Sequence, residues 1–144
     1  MQYPAMVTQE GGVFLIEFPD CPGCQTFARD EALVEARASE ALEGWLEVNL
    51  EDGEAPPEPS ARRRSPRGAE LRRIPVSSQL AAAIEIRWAR RAARLSQSEL
   101  GRRIGVSQQA IAKLERGGNV SLETLDKVAR GLGRSVELRL TATH

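Results

Sequence analysis

Between Leu95 and Gly117 the chain reads L-S-Q-S-E-L-G-R-R-I-G-V-S-Q-Q-A-I-A-K-L-E-R-G, and the side chains best suited to chemistry are concentrated there. Ser107 stands where a hydroxyl caps a helix start, with Gln108 and Gln109 in the first turn behind it. At about 100° per residue, Gln109, Ala112, Lys113 and Arg116 share one face, with Gln108 beside them. That face is long, polar and cationic, and it carries no acid. Amides and cations of this reach match the edges of bases and the phosphates next to them. The bland alternative is a helical hairpin whose glutamines are only solvated.

Positioning such a face takes two short helices and a tight turn. Ser96 and Glu99 form a capping box for the first helix, and Leu100 and Ile104 are its inner side. Gly101 allows close approach of the second helix, Gly105 supplies the turn, and Ile111 and Leu114 point inward from the second helix. Upstream, Ile84, Trp88, Ala92 and Leu95 at near-helical spacing predict a supporting helix over 79–94, with Trp88 as a core residue rather than a base-stacking one. Downstream, Ser121 caps a helix with Leu122, Leu125, Ala129 and Leu132 on one face, closed by Gly131 and Gly133. The terminal S-V-E-L-R-L alternates Val136, Leu138 and Leu140 with Glu137 and Arg139, the pattern of a half-buried strand. A lone strand after helices has no local partner, so pairing with the same strand of a second subunit is expected.

The stretch from Leu95 to Gly117 resembles the helix-turn-helix of the Cro/phage-repressor (Xre-like) family. The resemblance implies that the second helix enters the DNA major groove while the first crosses the backbone. It further implies that Gln97 donates to a phosphate, that Ser107 holds a phosphate or base, and that Gln108, Gln109 and Lys113 meet base edges, with Arg116 on the same face.

Charge divides the chain. The total of 20 basic and 20 acidic residues balances, yet residues 1–60 hold 13 acids and two bases, a net of −11, and residues 61–144 hold 18 bases and seven acids, a net of +11. Opposite signs imply two tasks with different partners. The basic half suits phosphates. The acidic half suits a basic protein. Between them, Glu51 to Arg73 reads as a Pro/Arg-rich linker: a soluble spacer, whose Arg62, Arg63, Arg64 and Arg67 would otherwise reach a minor groove as flexible arms do.

In the acidic half, Tyr3, Ala5 and Val7 alternate, Glu10-Gly11-Gly12 makes a hairpin turn, and Val13 to Phe18 reads as a central strand. Cys24 to Ala28 is a short third strand. Asp30 caps a helix to about Asn49 with Ala38, Ala41, Leu42, Trp45 and Leu46 inward, and Ile74-Pro75-Val76 returns as an edge strand. The run of Y-P-A, G-G-V-F-L-I-E-F-P-D-C-P-G-C-Q-T, an Ala/Glu helix and P-P-E-P-S resembles the HicB-type antitoxin family over about the first 76 residues. Cys21 departs from the aliphatic or aromatic residue usual there, and Arg29-Asp30 from the common Gly-Asp-Thr turn. The resemblance implies a partial ribonuclease-H-like fold, a small basic HicA-like toxin that cleaves mRNA as partner, and autorepression through a C-terminal DNA-binding domain.

Catalytic chemistry is poorly supplied. Cys21-Pro22-Gly23-Cys24 has redox spacing, but it falls between strands and opens no helix that would lower a thiol pKa. Zinc would need two more ligands, and the only histidine is His144. Glu17 is the one convincing strand acid, too few for a metal-dependent nuclease. No enzyme, metal or other cofactor is expected. The fold class expected is α+β: a β-β-β-α-β domain over 1–76 and an all-α helix-turn-helix domain over 77–144 that ends in a short strand. The expected function is a toxin-binding antitoxin and operator-binding autorepressor, cytoplasmic, without a membrane segment, and dimeric, or tetrameric if the acidic domain adds a second two-fold contact. The competing readings are a stand-alone Xre-like repressor with a ligand-sensing N-terminal domain, and a thiol-redox protein, which requires depressed cysteine pKa values.

Overall fold

The computed structural model describes residues 1–61 and 64–142 and divides into two compact units, Met1–Ala81 and Ala82–His144. The first holds strands β1 (Gln2–Glu10), β2 (Val13–Glu17) and β3 (Gln25–Ala28), helix α1 (Val34–Glu51) and strand β4 (Ala69–Pro75). The strands form one antiparallel sheet in the order β3-β2-β1-β4. Gly11 and Gly12, both at positive φ, make the β1–β2 hairpin turn, a backbone state that glycine adopts without steric cost.

Register decides which side chains go inside. Val7 faces Ile16 across β1 and β2, and Tyr3 faces Ile74 across β1 and β4, so these residues share one face of the sheet. All four are buried, as are Val34, Ala38, Leu42, Leu46 and Leu50, which recur every fourth residue along α1. The opposite face stays open and carries Leu15 paired with Phe27, 42% and 50% exposed. Asp30 caps a short 3-10 turn over Glu31–Leu33 that leads into α1, rather than α1 itself. Ala41 and Trp45 are half-buried at the flank of α1.

Two corrections concern the expected linker. β4 begins at Ala69, five residues before the edge strand expected at Ile74, and pairs with β1 along seven positions. An arginine hides the alternation: Arg72 lies opposite Ala5 on the helix-facing side, and its guanidinium reaches Glu31 at 3.3 Å and Glu70 at 3.2 Å. Its aliphatic stem fills space beside a small residue while the charge finds acids at the rim. Glu10 and Glu70 therefore join Glu17 as strand acids. The proline-rich segment is also docked. Pro56 is buried, the Tyr3 hydroxyl donates to the Pro57 carbonyl at 2.7 Å, and the Ser60 amide donates to Asp20 Oδ2 at 2.8 Å. Of the arginines considered as a DNA arm, Arg64 and Arg67 are exposed, and Arg62 and Arg63 lie outside the described residues.

The second unit is helical. It takes up part of α2 (Ser78–Ala92) and all of α3 (Gln97–Ile104), α4 (Gln108–Leu114) and α5 (Leu122–Gly131). Its core is Ile86, Leu100, Ile111, Leu114 and Val128, flanked by Leu95, Ile104, Val106, Val120, Leu125 and Leu132. Ile84 is fully buried and Leu95 flanks the core, as expected, whereas Trp88 is half-buried, Ala92 is exposed and Ile86 is the α2 residue within this core. On α5, Leu122 is 61% exposed and Val128 takes the inward position, since 125, 128, 129 and 132 give a cleaner helical arc than 122 with 125. Ser135–Leu140 forms no strand here. Leu138 and Leu140 are 70% and 101% exposed, and the segment pairs with no strand among the described residues, which a strand requires.

Gly131 packs α5 against α3. A Cβ built on it would fall 2.2 Å from Ile104 Cγ2, on a β-branched side chain with little freedom to move. Gly131→Ala gains up to about 1 kcal/mol of helix propensity against an overpacking cost of about 1–3 kcal/mol. The variant is expected to melt at a lower temperature than the wild type, measured by circular dichroism; an unchanged or raised Tm would show that the helices separate freely.

Candidate nucleic-acid interface

The helix-turn-helix is built as its sequence implies. Ser96 accepts from the Glu99 amide while the Glu99 carboxylate accepts from the Ser96 amide, so two orphan donors of α3 are satisfied reciprocally. The Glu99 carboxyl is held below its ordinary pKa by these bonds to Ser96. Gly105 ends α3 in the left-handed region at φ 75°, where a side chain would be strained. Gly101 is buried against the turn: a Cβ there would lie 2.6 Å from the Val106 carbonyl oxygen, which is backbone and cannot swing aside. Ser107 then caps α4 by accepting from the Ala110 amide at 3.1 Å.

Gln108, Gln109, Lys113 and Arg116 are all exposed, Ala112 is half-buried between them, and Ile111 and Leu114 occupy the opposite, buried side. Ser107 is exposed at the start of the same helix, although its hydroxyl already serves as cap. Gln97 is half-buried and is brought to Gln108 across the turn. The Gln108 side-chain amide donates to Gln97 Oε1 at 2.8 Å, and the Gln97 amide donates to Glu115 Oε1 at 3.4 Å.

Glu115 was missed from the sequence. Its side chain is fully buried and accepts from Arg87 Nε at 3.1 Å, from Arg90 Nε at 2.6 Å and from Arg90 Nη2 at 2.8 Å. Arg87 Nη2 also donates to the Glu115 carbonyl at 3.0 Å, and Arg90 Nη1 to the Leu95 carbonyl at 2.8 Å. Burial lowers the Arg87 pKa, and the Glu115 charge works against that fall. One signal was available: an acid at the C-terminal end of a helix opposes the macrodipole, which marks a group held by tertiary cations.

The cysteines sit elsewhere, in the loop between β2 and β3. Both are buried and unbridged, the Cys24 amide donates to the Cys21 carbonyl, and the Trp45 indole donates to Pro22 at 3.2 Å. Burial foremost, then Cys24 and Asp20, push the Cys21 thiol up to about 12, and burial raises Cys24 to about 11. These are shifts opposite to those of reactive thiols.

The comparisons follow this division. Residues 2–83 match the family model described as HicB_like antitoxin of bacterial toxin-antitoxin system, and residues 86–138 match a helix-turn-helix model. Antitoxin HicB 1 of Photorhabdus laumondii is 31% identical over 97% of this chain and 87% of its own length. A UPF0150 protein of Archaeoglobus fulgidus is 43% identical over 31% of this chain and 68% of its own. A chain of a solved HicA3 and HicB3 toxin-antitoxin complex is 22% identical, with TM-score 0.43, over 54% of this chain and 99% of that one. The two units define an α+β chain that joins a small sheet domain to a helix-turn-helix. It belongs to the HicB-like antitoxin family. No helix among the described residues is long and apolar enough to cross a membrane.

Neutralising Glu115 leaves two guanidinium groups in or near the core without their anion, a change that costs about 3–5 kcal/mol when a buried pair is broken. Glu115→Gln is expected to lower the denaturant midpoint of the second unit by that order, followed by helical circular dichroism. A loss within 0.5 kcal/mol, roughly the effect of an ordinary surface substitution, would mean that the cluster contributes no structure.

Proposed function

We propose that this chain is the antitoxin of a HicAB-like pair. Its first unit binds and blocks a HicA-like, mRNA-cleaving toxin, and its second unit represses its own operon by binding operator DNA as a dimer. Family membership over the first 83 residues carries the toxin half, and the exposed face of α4 carries the DNA half. A non-enzymatic regulator of the cytoplasm fits both, and the raised thiols weigh against thiol-redox chemistry.

The glutamine chain explains how α4 would read a base. Gln97 uses its oxygen on Gln108 and one amide hydrogen on Glu115, which leaves its second hydrogen for a phosphate. Gln108 spends one amide hydrogen on Gln97 and keeps the other, with its oxygen, for adenine N7 and N6. The side chain is thereby oriented before DNA arrives, and less rotamer entropy is lost on binding. Gln109, Lys113 and Arg116 extend the same face, with Lys113 suited to guanine O6 and N7. The Ser135–Leu140 segment supplies the dimer contact: its Val, Leu and Leu side chains alternate, and pairing with its two-fold mate would cover them and join two helix-turn-helix units for half-sites about one DNA turn apart.

Gel-shift titrations on operator and scrambled DNA test the DNA half. Gln108→Ala, Gln109→Ala or Lys113→Ala should cost about 1–3 kcal/mol of operator binding each, whereas Gln97→Ala should weaken both DNAs evenly. A chain ending at Gly133 should lose cooperative binding and sediment as a monomer. An unchanged operator-to-scrambled ratio in all three base-reading variants sinks the groove assignment, and an unchanged dimer sinks the role of the tail.

Co-expression tests the toxin half. A fragment ending at Ser77, which retains all four strands and α1, should restore growth to cells expressing the small basic protein encoded beside this gene. Its acidic balance favours fast, salt-sensitive encounter with a basic partner. A folded fragment that neither binds nor rescues refutes the assignment.

A further inference from the structure

β3 ends the sheet. Among the described residues its only strand neighbour is β2, so the backbone groups along its outer side face away from the sheet. Such an edge is a template for another strand. Beside it runs a shallow groove of about 460 Å³, with Gln25 and Thr26 of β3 on one wall and Ala41, Gly44, Trp45 and Val48 of α1 on the other. Val48 is 57% exposed, an apolar side chain that its own chain covers only in part.

Gly44 is the informative residue. Glycine inside a helix is destabilising relative to alanine, through backbone entropy. Nothing among the described residues requires it: its backbone is helical, and a Cβ built there meets nothing within 4 Å. What the absent side chain provides is depth in the groove, next to the strand edge.

We propose that this groove receives an extended strand of the basic toxin, added to β3 through main-chain hydrogen bonds; the identity of that partner rests on the antitoxin reading above. Unpaired strand backbone selects a strand as the occupant. Charge selects its source. Arg37 and Glu40 both line the groove, and Glu47 and Glu51 are exposed farther along the same face of α1, so that face carries three acids against one base. A second copy of this chain would bring the same acids to the contact, while a basic partner is attracted.

The test uses the full chain with Gly44→Ala and Gly44→Gln, titrated calorimetrically with the purified small basic protein encoded beside it, together with amide hydrogen exchange of β3. Both variants should melt at or above the wild-type temperature, since each gains helix propensity without a clash. Gly44→Ala should bind nearly as the wild type does, and Gly44→Gln roughly tenfold more weakly or worse. Amides of Gln25–Ala28 should gain protection in the wild-type complex. Full affinity in a folded Gly44→Gln chain, or β3 amides that exchange at their free rate within a formed complex, overturns the groove assignment while the antitoxin reading stands. Protection of β3 by self-association before the toxin is added assigns the edge to a second copy and also overturns it. A wild-type chain that does not bind the toxin at all refutes the antitoxin reading instead.

Discussion

The second unit depends on one buried carboxylate. Glu115 is wholly removed from water, where an unpaired charge would be prohibitive, so the elements around it must bring cations to it. Arg87 and Arg90, one helical turn apart on α2, supply them, and their remaining hydrogens reach the carbonyls of Glu115 and Leu95. The end of α4, the start of α3 and the C-terminal part of α2 are thereby fixed to a single point. A buried ion pair adds little net stability over an apolar cluster of the same volume. What it imposes here is register between α2 and α4, because α4 does not slide along α2 without leaving a charge unpaired, while α3 is tied to the same carboxylate through the neutral Gln97 amide. The surface inherits that order: Gln97 is held from within by Glu115, and Gln108 is held by Gln97.

The parts legible in the sequence are those that local chemistry determines. The Ser96–Glu99 box, the Gly105 turn, the Ser107 cap and the outward face of α4 follow from residues within four positions of each other, and each is present. The Gly11–Gly12 hairpin and the Tyr3, Ala5 and Val7 alternation are equally local. What stayed hidden was long-range. Glu115 meets cations 25 and 28 residues away. β4 conceals an arginine on its inner face because Glu31, 41 residues earlier, takes the charge. The proline-rich segment looked unpackable because prolines break apolar periodicity, yet Pro57 needs only a carbonyl to accept the Tyr3 hydroxyl, 54 residues away.

Strand formation is a property of pairs, and that accounts for the remaining discrepancy. Val136, Leu138 and Leu140 have the alternation of a strand, yet in the single chain Val136 is only half-buried and both leucines are exposed. β3 has the complementary condition: it is paired on one side and open on the other. Each unit thus presents main-chain groups or apolar side chains that the chain itself leaves unsatisfied. In a protein with no fixed partner such edges invite aggregation.

Two glycines inside helices show how the same residue carries different meaning. Gly131 lies on α5 where Ile104 occupies the space a methyl group would need, so its explanation lies within the chain. Gly44 lies on α1 where a Cβ would meet nothing within 4 Å, so packing among the described residues does not explain it. Gly44, in the interior of α1, incurs an entropic cost of about 0.5–1 kcal/mol relative to alanine, and Gly131, the last residue of α5, incurs less. In the first case that cost is offset by close approach of two helices within one core. In the second no contact among the described residues offsets it, which is the reason for assigning the open groove beside it to another molecule.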